Sequence, residues 1–92
     1  MPKIELSRQA RDFLLDLPSK QARQIAEKLQ ALAVDPFALP SEALKGYQPM
    51  RRLKSGEFRI IFAVEPEIVQ ICLIGKRNDD EVYKALERAW KK

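Results

Sequence analysis

The sequence has no histidine, a single cysteine and only three glycines, and its longest apolar runs are short. The lack of histidine excludes His-based triads, His general acid–base pairs and His-containing zinc sites. Cys72 has no second cysteine with which to form an internal disulfide or a thiolate metal site. It sits in the apolar run Ile68–Ile74, where it reads as a small hydrophobe on a buried strand rather than a reactive thiol. A membrane-spanning helix needs roughly 20 predominantly apolar residues, and no run approaches that length. The opening Met-Pro-Lys-Ile-Glu lacks the apolar core of a signal peptide. These features lead us to expect a cytoplasmic protein with no membrane partner. Any catalysis must run on Arg, Lys, Tyr, Asp, Glu, Ser or the lone Cys.

What is present suits one domain spanning residues 1–92, since a chain of 92 residues cannot split into two stable cores. Hydrophobic residues at 46% and charged residues at 33% are ordinary for a soluble globular protein. The charge is informative by position. Residues 1–44 and residues 60–92 each balance, whereas the stretch 45–59 holds Lys45, Arg51, Arg52, Lys54 and Arg59 against Glu57 alone. The net charge of +4 therefore lies in that stretch, which points to a polyanion site.

Periodicity predicts the elements. Ile4 and Leu6 alternate with charged neighbours and mark a short strand over Lys3–Leu6. Ser7 can cap a helix whose Ala10, Phe13, Leu14 and Leu17 form one apolar face, ended by Pro18. Ser19 can cap a second helix with the stripe Ala22, Ile25, Ala26, Leu29, Leu32 and Ala33, stopped at Asp35-Pro36. So short a break between amphipathic helices predicts an antiparallel hairpin. Pro36, Pro40, Gly46 and Pro49 mark irregular chain over 36–49, with Phe37, Leu39, Leu44 and Tyr47 packed against the domain. Strands follow at about Met50–Lys54, Glu57–Val64 and Ile68–Gly75. Asn78 or Asp79 can cap a short C-terminal helix with the stripe Val82, Ala85, Leu86 and Ala89. The expected fold class is α+β: an N-terminal strand, a helical hairpin packed on an antiparallel β-meander, and that last helix.

A Ser55-Gly56 turn would set Arg52 opposite Arg59. Alternation then turns Leu53, Phe58, Ile60, Phe62 and Val64 toward the helices, and Arg52, Lys54 and Arg59 toward the other face. Like charges opposite one another destabilise a sheet, and the pairing makes sense with an anion between them.

The segment Arg51-Arg52-Leu53-Lys54-Ser55-Gly56-Glu57-Phe58-Arg59-Ile60-Ile61-Phe62 resembles the central hairpin of the RelE/ParE toxin superfamily. The segment Gly75-Lys76-Arg77-Asn78-Asp79-Asp80-Glu81-Val82-Tyr83 resembles the junction of last strand and C-terminal helix in its RelE-like, mRNA interferase branch. The likeness covers nearly the whole chain. It implies the toxin of a type II toxin–antitoxin system, a ribosome-dependent endoribonuclease that cuts mRNA in the A site. That chemistry needs no metal or other cofactor, because the ribose 2′-OH attacks the adjacent phosphate. By the same resemblance, Arg59 and Arg77 stabilise the transition state or leaving group, and Tyr83 serves acid–base chemistry. Arg52 occupies a catalytic lysine position. A further family lysine is replaced by Met50, and Lys54 or Arg51 can compensate. Lys45, Arg51, Arg52, Lys54 and Lys76 would bind RNA, and the partners would be ribosome, mRNA and a cognate antitoxin.

Elementary chemistry favours charge stabilisation over proton transfer here. An unperturbed phenol has a pKa of about 10, and neighbouring cations lower it by roughly 1–3 units, so Tyr83 would be a base only in a minor fraction. Preorganised guanidinium groups can instead bind the charge that develops on phosphate. Two other readings stay open: a ParE-like, non-nucleolytic inhibitor of DNA gyrase, and a catalytically weak RNA-binding homologue. The discriminating residues are Arg59, Arg77 and Tyr83.

Overall fold

The computed structural model describes residues 3–76 together with Lys84 and Arg88. The order is β1 (Lys3–Leu6), α1 (Arg8–Asp16), α2 (Ser19–Val34), β2 (Ser41–Ala43), β3 (Arg51–Ser55), β4 (Phe58–Val64) and β5 (Ile68–Lys76). The strands form one five-stranded sheet in the order β1-β5-β4-β3-β2. β2 through β5 pair antiparallel, as expected of a meander, but β1 runs parallel to β5, which makes the sheet mixed. The helical connection α1–α2 permits this, because a parallel neighbour needs a long crossover rather than a tight turn. The expected C-terminal helix lies outside the described residues apart from Lys84 and Arg88, which are helical and exposed.

Ser7 caps α1 as its position predicts: its Oγ accepts from the Ala10 N–H at 3.1 Å and donates to the Cys72 carbonyl at 2.7 Å. Ser19 is the first residue of α2 rather than its cap; Pro18 stands at the cap and makes no side-chain bond. Proline's fixed φ suits a helix start, and it can end one helix just before the next begins.

The core lies between the helices and one face of the sheet. Ala10, Ile25, Leu29 and Leu32 meet Leu53, Phe58, Ile60, Phe62, Val69, Ile71 and Ile74, with Phe13, Leu14, Leu17 and Val64 packed at its margin. Phe13 meets Phe58 edge to face, with ring centroids 6.0 Å apart. Burying a side chain such as Phe62, which is fully enclosed, contributes about 1.5–3 kcal/mol. Ala26, counted in the expected stripe, is exposed on the outer side of α2.

A second cluster covers the far face of the sheet. Leu44, Tyr47, Met50 and Cys72 pack over Ile61 and Leu73. The register shift between Ile61 and Phe62 makes this possible: Ile61 pairs with Leu73 and Phe62 with Ile71, so Cys72 is the extra residue of a β-bulge. The bulge reverses the alternation along β5. Val69 and Ile71 face the helices, Leu73 faces away, and Ile74 faces the helices again.

Segment 36–49 is less irregular than its prolines and glycine suggest, since it contains β2. Of its apolar side chains, Leu39, Leu44 and Tyr47 pack as expected, but Phe37 is exposed, with the Arg51 guanidinium 5.9 Å from its ring centre.

Candidate anion-binding face

The hairpin register differs from the expectation by one residue. Ser55 pairs with Phe58, so Gly56 and Glu57 form the turn and Lys54 lies across from Arg59, while Arg52 faces Ile61. Gly56 has φ +58° and, among the described residues, no non-glycine residue has a positive φ, which is the pattern of a type II′ turn with glycine first. Such a turn matches the strand twist and requires glycine at its first central position.

The alternation still brings Arg52, Lys54 and Arg59 to the face away from the helices, and it turns Leu53, Phe58, Ile60, Phe62 and Val64 toward them. One row across three strands reads Lys54, Arg59, Gly75, and the row beside it reads Glu42, Arg52, Ile61, Leu73. Gly75 therefore sets no side chain beside Arg59.

Arg59 is anchored from behind. Its Nη1 donates to the Gly56 carbonyl at 3.0 Å and to the Phe58 carbonyl at 2.8 Å. A guanidinium held through Nη1 keeps its Nε–Nη2 edge for a bidentate contact with an oxyanion, so ordering costs little at binding. Arg52 is held by Glu42, with Nη2 to Oε2 at 2.7 Å, and its side chain is only 26% exposed against 64% for Glu42.

The other expected site residues fall elsewhere. Arg51 lies on the helix-side face and binds β2: Nε donates to the Ser41 Oγ at 2.8 Å and Nη2 to the Ser41 carbonyl at 3.0 Å. Lys76 pairs with Phe58 and shares the helix-side face, because the bulge at Cys72 reversed the alternation before it. Lys45 is exposed in the turn after β2. Arg77 and Tyr83 lie outside the described residues. Met50 packs in the second cluster beside Tyr47.

Sequence reasoning missed Glu42 as the partner of Arg52. Its signal is weak, a lone acid within a three-residue strand between Pro40 and Pro49. Burial, followed by the nearby charge of Glu65, raises the Cys72 thiol pKa above its ordinary value. Among the described residues, no group of three or more Cys, Asp or Glu side chains is arranged to hold a metal ion, and no helix is long and apolar enough to cross a membrane.

Solved structures share this fold at low sequence identity. A doubly substituted E. coli RelE toxin in the free state aligns with TM-score 0.77 and 21% identity, covering 96% of each chain. The intact E. coli RelBE toxin–antitoxin complex aligns with TM-score 0.68 and 21% identity over 86% of this chain and 100% of that one. A chain of the chromosomal ParDE system of P. aeruginosa gives TM-score 0.65 and 18% identity over 83% and 96%. No curated protein sequence matches. The family model for the ParE toxin of the type II toxin–antitoxin system parDE matches residues 4–81, most of the chain. With fold and sequence in agreement, the chain belongs to the ParE toxin family of type II toxin–antitoxin systems.

Proposed function

We propose that this toxin acts as a non-nucleolytic, ParE-like inhibitor of DNA gyrase, using the Lys54–Arg59 face to engage its target. The match of the ParE family model over residues 4–81 carries the reading. The chemistry of the face agrees with it. Arg59 has Lys54 on one side of the ladder and Gly75 on the other, an arrangement that receives negative charge rather than one that moves a proton. A cognate antitoxin would neutralise the toxin with a segment that folds on binding and offers carboxylates to these cations. The RelBE and ParDE structures are the precedent for such a pair.

A metal-free endoribonuclease of RelE type is the second reading. The observation that favours it is the anchored guanidinium of Arg59, poised for bidentate contact with a phosphate, with Lys54 directly opposite. In that reading Arg77 and Tyr83 complete the site, and ribosome-bound mRNA is the substrate held in line for attack.

Two assays run on the same purified protein separate the readings. DNA supercoiling by gyrase should be inhibited, and mRNA on programmed ribosomes should stay intact. Cleaved mRNA with unimpaired supercoiling would reverse the assignment.

A further inference from the structure

β2 ends the sheet, and its outer edge is open. The Leu44 N–H donates to the Met50 carbonyl at 3.0 Å, which extends the β2–β3 ladder by one bonded pair. Bonded and non-bonded pairs alternate along an antiparallel ladder. Glu42 and Arg52 are therefore the next bonded pair, and the backbone groups of Ser41 and Ala43 turn outward. The Ser41 carbonyl is taken by Arg51, whose Nη2 donates to it at 3.0 Å. The Ser41 N–H and both polar groups of Ala43 have no partner among the described residues. A groove of about 360 Å³ adjoins Ala43 and is lined also by Phe37, Pro49, Met50, Arg51 and Val64. Phe37 is 65% exposed, a large apolar surface with little over it. Of the described residues that line the groove, Arg51 alone is charged. Because its Nη2 reaches the outward carbonyl of Ser41, the guanidinium itself lies at the edge, and Nη1 remains beyond its two bonds to Ser41.

We propose that the β2 edge and this groove dock an extended segment of a partner protein, added as a further strand beside β2. The segment carries a carboxylate side chain for Arg51 and, two residues along on the same face, an apolar side chain for the surface of Phe37 and Val64. Strand addition of this kind takes its affinity from main-chain bonds and its specificity from side chains on one face. Ala43 suits the role, because its methyl group leaves the way from the edge to Arg51 open. A second copy of this chain does not match: only Ser41 and Ala43 turn their backbone outward, so its β2 would bring no carboxylate to Arg51. Its Glu42 stands on the other face, with Arg52. An edge strand of three residues also resists indiscriminate pairing, which leaves selectivity to the groove. The surface is separate from the Lys54–Arg59 pair, which lies on the opposite face of the sheet.

The test is titration of the full chain with the blocked peptide Thr-Val-Thr-Glu-Thr-Val-Thr, followed by amide NMR shifts and hydrogen exchange. The Ser41 and Ala43 amides should shift saturably and exchange more slowly with peptide bound. The same peptide with Gln for Glu should bind about 3- to 10-fold more weakly at low salt, the loss of one partly buried charge contact. That difference should shrink as salt is added. Phe37→Ser should weaken binding of both peptides. Ala43→Pro removes the outward N–H at a place where an edge strand tolerates proline, so the fold should persist and binding should be lost. Absence of saturable shifts at Ser41 and Ala43 up to millimolar peptide overturns the proposal, as does undiminished binding to a folded Ala43→Pro variant. Should that variant fail to fold, the two peptides still decide the matter on wild-type protein, because equal affinity for both removes Arg51 from the site.

Discussion

Lys54 lies directly across the β3–β4 ladder from Arg59, two cations on the same face of the sheet. A sequence chosen for stability alone would place opposite charges there, since like charges in a cross-strand pair cost a few tenths of a kcal/mol or more. The pair is therefore maintained against a folding preference. Lys54→Gln should raise the melting temperature slightly while weakening binding to polyanions and lowering its salt slope. Denaturation and oligonucleotide titration of the same preparation check both halves, and a variant that gains stability without losing affinity would detach the pair from function.

Gln9 stands in for a strand at the outer edge of β5. Its Nε2 donates to the Ile74 carbonyl at 2.8 Å and its Oε1 accepts from the Ile74 N–H at 2.9 Å, beyond the point where β1 ends. Ile74 is fully buried, so Gln9→Ala leaves both backbone groups without these partners. A loss of about 2–3 kcal/mol is expected. At about 4–8 °C per kcal/mol for a domain of this size, the fall in melting temperature should be large. Gln9→Glu, which keeps the acceptor but removes the donor, should fall between the two.

The turn at Gly56 makes a sharper conformational test. Nothing lies within 4 Å of a Cβ built at this position, so Gly56→Ala meets no steric clash and pays only for its φ of +58°. About 1–2 kcal/mol of destabilisation follows. Because the Gly56 carbonyl anchors Arg59, the variant should also lose binding beyond its loss of stability. Affinity measured well below the melting temperature isolates that second effect.

Much of this fold was legible in the sequence, and the exceptions have physical causes. The spacing of Ala10, Phe13, Leu14 and Leu17 identified α1, and Ser7 marked its start, because capping and helical periodicity are local. The hairpin register slipped by one residue. Both Ser55-Gly56 and Gly56-Glu57 offer a glycine, and only the demand for glycine first in a II′ turn selects the second. Pairing of β1 with β5 joins residues 65 positions apart, which no local pattern encodes. The bulge at Cys72 was hidden within an apolar run whose two faces are both covered, and it moved Lys76 off the face that carries Arg59. The cationic cluster was visible as a charge excess over 45–59, but its division between two faces, and the role of Glu42, required the register.

Cys72 offers a check on the second cluster. Burial, then the nearby Glu65 carboxylate, raises its thiol pKa, so the nucleophilic thiolate is scarce at neutral pH. Alkylation of the folded protein should be slow. Its rate should rise with pH later than that of an unfolded control, with the midpoint displaced to higher pH. A folded protein alkylated as fast as the unfolded chain would mean that Tyr47, Met50 and Leu44 do not cover this part of the sheet.

Growth after induction in bacteria tests most directly the proposal that this ParE-family toxin works through the Lys54–Arg59 pair. Wild-type protein should arrest growth. The Lys54→Ala/Arg59→Ala variant, expressed at the same level and folded as judged by circular dichroism, should leave the culture growing. Both side chains lie outside the helix-side core, so the substitutions remove charge without opening a cavity there. Growth arrest by the double variant equal to that of wild type would mean that toxicity does not run through Lys54 and Arg59.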